Sequence, residues 1–185
     1  MVAYFQLQPT EADLQQLAEE YWKNANKKER ELETAAFEAG EAIRKGEYTL
    51  ANVEAIVRWK SEHAVQYLIG NSNEKIKQAL TVAASPAAPV EEAVKALTSL
   101  HGVDLSVASA ILAAIFPDRY TALDYHTLSA LGHAPHDIRF YKEYLEFCNQ
   151  LAESNIVNPQ TGLPGPTPLR ALDRALFEWA CGHDE

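Results

Sequence analysis

"LHGVDLSVASAILAAIFPDRYTALDYH", residues 100–126, decides how the rest of the chain is read. The stretch is mostly apolar, with a pivot at Gly102, a second at Asp104 and a further aspartate, Asp124, near its end. Glycine supplies the left-handed backbone that stops a helix, and aspartate tolerates the same shape better than most side chains. His101-Gly102-Val103-Asp104 is therefore expected to be the turn of a tight helical hairpin. Val90, Val94 and Leu97 stripe the helix before it. Leu105, Ala108, Ile111, Leu112 and Ile115 stripe the helix after it, which Pro117 ends. Val103 is expected to tuck between the two, and the small Ala108, Ser109 and Ala110 allow close packing. The amides of residues 104–106 open the second helix, whose positive dipole end is a generic anion site. Asp124 is placed to cap a further helix after the loop "PDRYTAL".

Outward from this stretch the periodicity stays helical and shows no convincing period of two. Thr10 is a candidate N-cap for a helix striped by Leu14, Leu17, Ala18 and Tyr21. Residues 29–45 read as a charged, solvated helix. Thr49 can cap a helix carrying Val53, Ile56, Val57, Ala64, Tyr67 and Leu68, and Asn71 to Asn73 can cap the next. "SPAAP" and "GHAPHD" break the chain. Tyr141, Tyr144, Leu145 and Cys148 mark a long helix. Thr167-Pro168 opens a last one striped by Leu169, Leu172, Leu176 and Trp179. The fold class is all-α, nine or ten helices in a single domain over 1–185, with 90–132 as the hairpin and the aspartate segment within it.

The chain has 185 residues, 47% of them hydrophobic, so it can bury a core. It has no apolar run long enough to span a membrane and no secretory pattern at its start. Cys148 and Cys181 are read as thiols in a reducing cytoplasm, and two cysteines cannot hold a four-cysteine iron–sulfur cluster. Net charge is −10, which disfavours nucleic acid held by many cations. The charge is uneven. Residues 91–132 hold two basic and five acidic side chains, whereas residues 44–78 hold six basic and four acidic. A polyanion would be gripped from 44–78 or by backbone amides.

"LHGVDLSVASAIL" resembles the helix-hairpin-helix motif of the DNA glycosylase superfamily, whose pattern is Leu-x-Gly-Val-Gly-x-x-x-Ala. "ALDYHTLSALG" is similar to the segment that carries that superfamily's catalytic aspartate, at the same spacing from the hairpin. "IVRWKS" and "LRALDRALFEWA" look like stretches of a bacterial branch of it. The resemblance implies a compact helical glycosylase-like fold, DNA binding through Gly102, Val103, Asp104 and Ser106, Asp124 as catalytic carboxylate and His126 in support. It also implies that a monovalent cation can sit on hairpin carbonyls. Bifunctional members carry a nucleophilic lysine where Ser106 stands, so serine implies the monofunctional, water-using chemistry. The chain departs from the pattern at the second glycine, which is Asp104.

Trp59 and Lys60, in the basic stretch, are candidates to stack on a base and meet a phosphate. The plainer alternative is a half-buried tryptophan at a helix edge. His126, His133 and His136 with Asp137 match no metal-ligand spacing, so no metal site is expected. Arg170 and Arg174, near Asp173, read as a surface or interhelix ion pair. Three functions follow: a monofunctional DNA N-glycosylase of base excision repair, a non-enzymatic binding or scaffold protein on the same fold, and a hydrolase of small N-glycosides. Duplex DNA is the expected partner of the first, against the acidic charge, and no membrane is involved.

Overall fold

A computed structural model describes residues 5–132 and 137–183, Tyr125 by its backbone alone. Among these residues all regular structure is helical. Ten helices follow in order: α1 (Leu14–Asn24), α2 (Lys27–Arg44), α3 (Leu50–Lys60), α4 (Val65–Leu68), α5 (Asn73–Ala83), α6 (Val90–Thr98), α7 (Leu105–Ile115), α8 (Tyr125–Ser129), α9 (Ile138–Glu153) and α10 (Pro168–Cys181). The chain divides into a central unit, residues 27–116, and a terminal unit built from residues 1–26 and 117–185.

The central unit is organised on α7, which packs on α2, α3 and α6. Every residue from Val107 to Ile115 is buried, as expected of a helix that is apolar all round. At Gly40, α2 approaches α7 so closely that a Cβ would overlap the carbonyl of Ala114. Arg44, at the end of α2, donates to Ile115 O, one of the carbonyls that the end of α7 leaves without a helical partner. This corrects the expectation of a solvated helix over 29–45. Glu33, Ala36, Phe37, Ala39, Gly40 and Ile43 are buried along one face of α2. Alanine and glycine contribute little to apolar periodicity, so the charged residues of α2 dominate its sequence pattern. Thr49 caps α3 as expected, accepting from Asn52 N at 3.2 Å.

The terminal unit is organised on α10, which packs on α1, α8 and α9. Tyr141 and Tyr144 of α9 are fully buried. Their hydroxyls donate to Thr121 O at 3.0 Å and Thr127 Oγ1 at 3.2 Å, which ties α9 to the loop before α8 and to α8 itself. Thr167 caps α10, accepting from Arg170 N at 3.1 Å, with Pro168 at its first position.

Arg170 and Arg174 are not surface residues. Arg170 pairs with Asp173 within α10 at 2.5 Å, both nearly buried. Arg174 is fully buried and donates to Gln160 Oε1 at 3.0 Å and Pro164 O at 2.6 Å. Its guanidinium lies over the rings of Tyr21 and Trp22. The loop between α9 and α10 is thus pinned by a buried cation, whose planar fork can meet several acceptors at once. Thr10 also departs from expectation. It precedes a single 3-10 turn, Glu11–Asp13, and donates to Asp13 Oδ2 at 2.6 Å rather than capping α1.

Candidate functional site: a glycine hairpin and an aspartate cap

The hairpin lies in the central unit and Asp124 in the terminal unit. In the hairpin, α6 ends at Thr98 and α7 begins at Leu105. Gly102 has φ +83°, the left-handed value its sequence position asked for. A second demand falls on the same residue: a Cβ there would sit 2.8 Å from Ala64 O and 2.9 Å from Leu68 N. Val103 is buried, as expected.

Asp104 takes the N-cap position of α7 in extended backbone, and its carboxylate accepts from Val107 N at 2.9 Å. The carboxylate thus satisfies one of the helix's own first amides. Ser106 is half-buried, and its carbonyl accepts from Ser109 Oγ at 2.6 Å.

Sequence reasoning missed what holds this turn in place. Asn71 is buried, and its side chain grips His101 in both directions. Asn71 Nδ2 donates to His101 O at 3.0 Å and to Leu68 O at 2.9 Å, while His101 N donates to Asn71 Oδ1 at 3.0 Å. An asparagine read as part of a helix cap is instead the clamp between the hairpin and the end of α4. Ser72 is the cap of α5, accepting from Lys75 N. His101 lies thirty residues from Asn71, so no local pattern marks this pairing.

Asp124 is half-buried at the N-cap of α8. Its Oδ1 accepts from His126 N at 2.8 Å, and its carbonyl accepts from Thr127 Oγ1 at 3.0 Å. The capping role read from the sequence is therefore present. His126 is half-buried, with its ring edge-on to Phe177 of α10 at 5.2 Å between centroids. Trp59 is half-buried and packs edge-to-face on Phe37, 5.4 Å between centroids, which matches the plainer of its two readings. Lys60 ends α3 beside it. Arg58 is committed to Glu54 at 2.6 Å and lies 3.8 Å from Glu62.

His133 and His136 lie outside the described residues. Among those described, no group of three or more His, Cys, Asp or Glu is placed to hold a metal ion. Two of the hairpin carbonyls are already acceptors: Leu100 O takes Val103 N at 3.3 Å, and His101 O takes Asn71. A monovalent cation at this turn would share its oxygens with these bonds. No described helix is long and apolar enough to cross a membrane. Comparisons with known protein families, with curated proteins and with solved structures each return no match.

Proposed function

We infer that this chain is a DNA glycosylase-like protein of monofunctional type, with Asp124 as its essential carboxylate. The observation that carries the reading is Gly102. It is held left-handed and welded to its neighbours at the turn of a hairpin, in the sequence pattern of the helix-hairpin-helix superfamily. Such a turn presents backbone amides to a phosphate and needs few cations to do so. The target nucleotide leaves the stack, and its N-glycosidic bond breaks with the electron pair going to the base. Asp124 offsets the positive charge on the sugar, orients a water toward C1′ and takes its proton as the new C–O bond forms. Ser106 in place of lysine leaves water as the nucleophile.

The charge distribution is kinder to this reading than the net −10 suggests. The central unit, which holds the hairpin, carries ten basic and twelve acidic residues, and the terminal unit six and fourteen. Most of the acid excess is therefore away from the hairpin in sequence.

A second reading, a binding or scaffold protein that keeps the fold without the reaction, is favoured by Asp104. Its carboxylate already fills an amide of α7 and would repel a phosphate there. Asparagine caps a helix about as well as aspartate, so Asp104→Asn removes the charge and keeps the cap.

The test is fluorescence anisotropy of duplex DNA bearing an abasic-site analogue, at low and moderate salt, followed by a screen for base release. Salt-dependent binding, with release abolished by Asp124→Asn, supports the glycosylase. Binding without release of any base supports the scaffold. No binding at low salt by either wild type or Asp104→Asn sinks both as DNA-directed readings.

A further inference from the structure

Among the described residues, large hydrophobic side chains stand exposed at two positions, Tyr67 at 54% and Ile69 at 55%. They are close neighbours in sequence at the end of α4, and both belong to the central unit. The segment that carries them is fixed to the hairpin from two sides. A Cβ on Gly102 would lie 3.0 Å from the Cβ of Tyr67. Two residues beyond Ile69, Asn71 is locked to His101 by a hydrogen bond in each direction. The Tyr67 ring is steadied by His63, edge-to-face at 5.6 Å between centroids. These side chains are therefore displayed by a rigid support rather than by a loose loop.

The sequence around them is basic in an acidic chain. Residues 58–78 hold four basic side chains, Arg58, Lys60, Lys75 and Lys77, against Glu62 and Glu74. Arg58 is spent on Glu54 and Glu62, but Lys75 and Lys77 are exposed along α5. An exposed aromatic ring, an aliphatic neighbour and cations close by in sequence match what an unstacked nucleobase and its phosphates require. Apolar side chains next to a backbone-binding element are also how proteins engage a broken base step. Trp59 is half-buried and packs edge-to-face on Phe37, so it is less accessible than Tyr67.

We propose that Tyr67 and Ile69 form the surface on which the central unit holds an exposed base of distorted DNA, with Tyr67 against the base face and Ile69 at its edge. This rests on the hairpin reading above and names the part of the substrate that the hairpin unit recognises: a disrupted base step, not intact duplex. Discrimination then comes from these two residues, while affinity common to all DNA comes from backbone amides and lysines.

The experiment compares two duplexes of equal length, one fully paired and one with a single-nucleotide gap flanked by 2-aminopurine. Anisotropy is titrated at several salt concentrations, and 2-aminopurine fluorescence reports stacking. Wild type, Tyr67→Ser, Ile69→Ser and Tyr67→Phe are used, each checked by urea denaturation and sedimentation. Tyr67→Ser is expected to weaken binding to the gapped duplex by about tenfold, with little effect on the paired one and an unchanged salt slope. Wild type and Tyr67→Phe are expected to change the 2-aminopurine signal, and Tyr67→Ser is not. Unaltered preference for the gap in both serine variants overturns the inference and leaves the hairpin reading standing. No binding of either duplex by wild type at low salt overturns both. A wild-type dimer that the serine variants dissociate, with no change in gap preference, assigns the patch to a second copy of the chain and overturns the inference as well.

Discussion

Gly102 answers to two constraints that a substitution separates from ordinary helix-end effects. Left-handed backbone costs an L-residue about 1–2 kcal/mol. Here an added Cβ would also press on backbone atoms of residues 64 and 68, which cannot swing aside as a side chain would. Gly102→Ala is expected to lower unfolding free energy by about 2–4 kcal/mol, read from urea midpoints. A loss no larger than the left-handed cost alone, about 1–2 kcal/mol, would mean that the α4 segment moves away freely. Asp124 behaves differently. Asp124→Asn keeps a capping oxygen for His126 N, so stability should shift by no more than about 0.5 kcal/mol, while Asp124→Ala should cost about 1 kcal/mol. Loss of base release in the asparagine variant then speaks of charge and not of folding. Gly102 and Asp124 were legible because their signals are local, a stop and a cap. Asn71 was not, since its role depends on a carbonyl and an amide brought together only by the fold.

At the scale of elements, α2 shows where apolar periodicity fails. Ala36, Ala39, Gly40 and Ile43 fall at the spacing of one helix face, yet the glutamates between them, Glu38 and Glu41, carry the stronger signal. Small residues bury by letting backbones approach, and Gly40 is the point of approach to α7. This inverts a familiar substitution. In an exposed helix, Gly→Ala gains about 1 kcal/mol from propensity. In α2, Gly40→Ala is expected to lose about 1–3 kcal/mol, because the methyl group meets the Ala114 carbonyl and forces α2 and α7 apart. Thermal or urea unfolding decides the sign, and a stabilised Gly40→Ala would show that the two helices can separate without cost. The hairpin helices and α9 and α10, in contrast, were readable in place and type. Each carries large aliphatic or aromatic residues at helical spacing among its smaller buried ones, and α7, α9 and α10 start at Asp104, Asp137 and Thr167 caps.

At the scale of the whole molecule, three acids in the terminal unit stay protonated because the fold gives their anions no solvent. Burial pushes the Cys148 thiol well above its ordinary range, the nearby Asp173 charge adds to this, and the Tyr144 hydrogen bond only partly opposes it. Tyr141 and Tyr144 are raised as well, chiefly by burial, and Tyr141 needs its proton to bond Thr121 O. The sign follows from proton counting. Each group is neutral in the folded chain and ionises in the unfolded one, Cys from about pH 8.5 and Tyr from about pH 10. Between those values and the raised folded ones, the folded state holds more protons, so stability falls as pH rises. One such group contributes a slope of about 1.4 kcal/mol per pH unit. Stability should therefore be level up to about pH 8 and then decline, in a first stage set by Cys148 and a steeper one set by the two tyrosines. The two stages overlap, so the slope alone does not isolate the thiol. Cys148→Ala does. It is expected to begin less stable at neutral pH, through lost packing, and to lose less between pH 8 and 9.5, so that the two curves converge. Urea midpoints of both chains across pH 7–10.5 measure this, and parallel curves through that window would mean that the thiol ionises within the folded terminal unit.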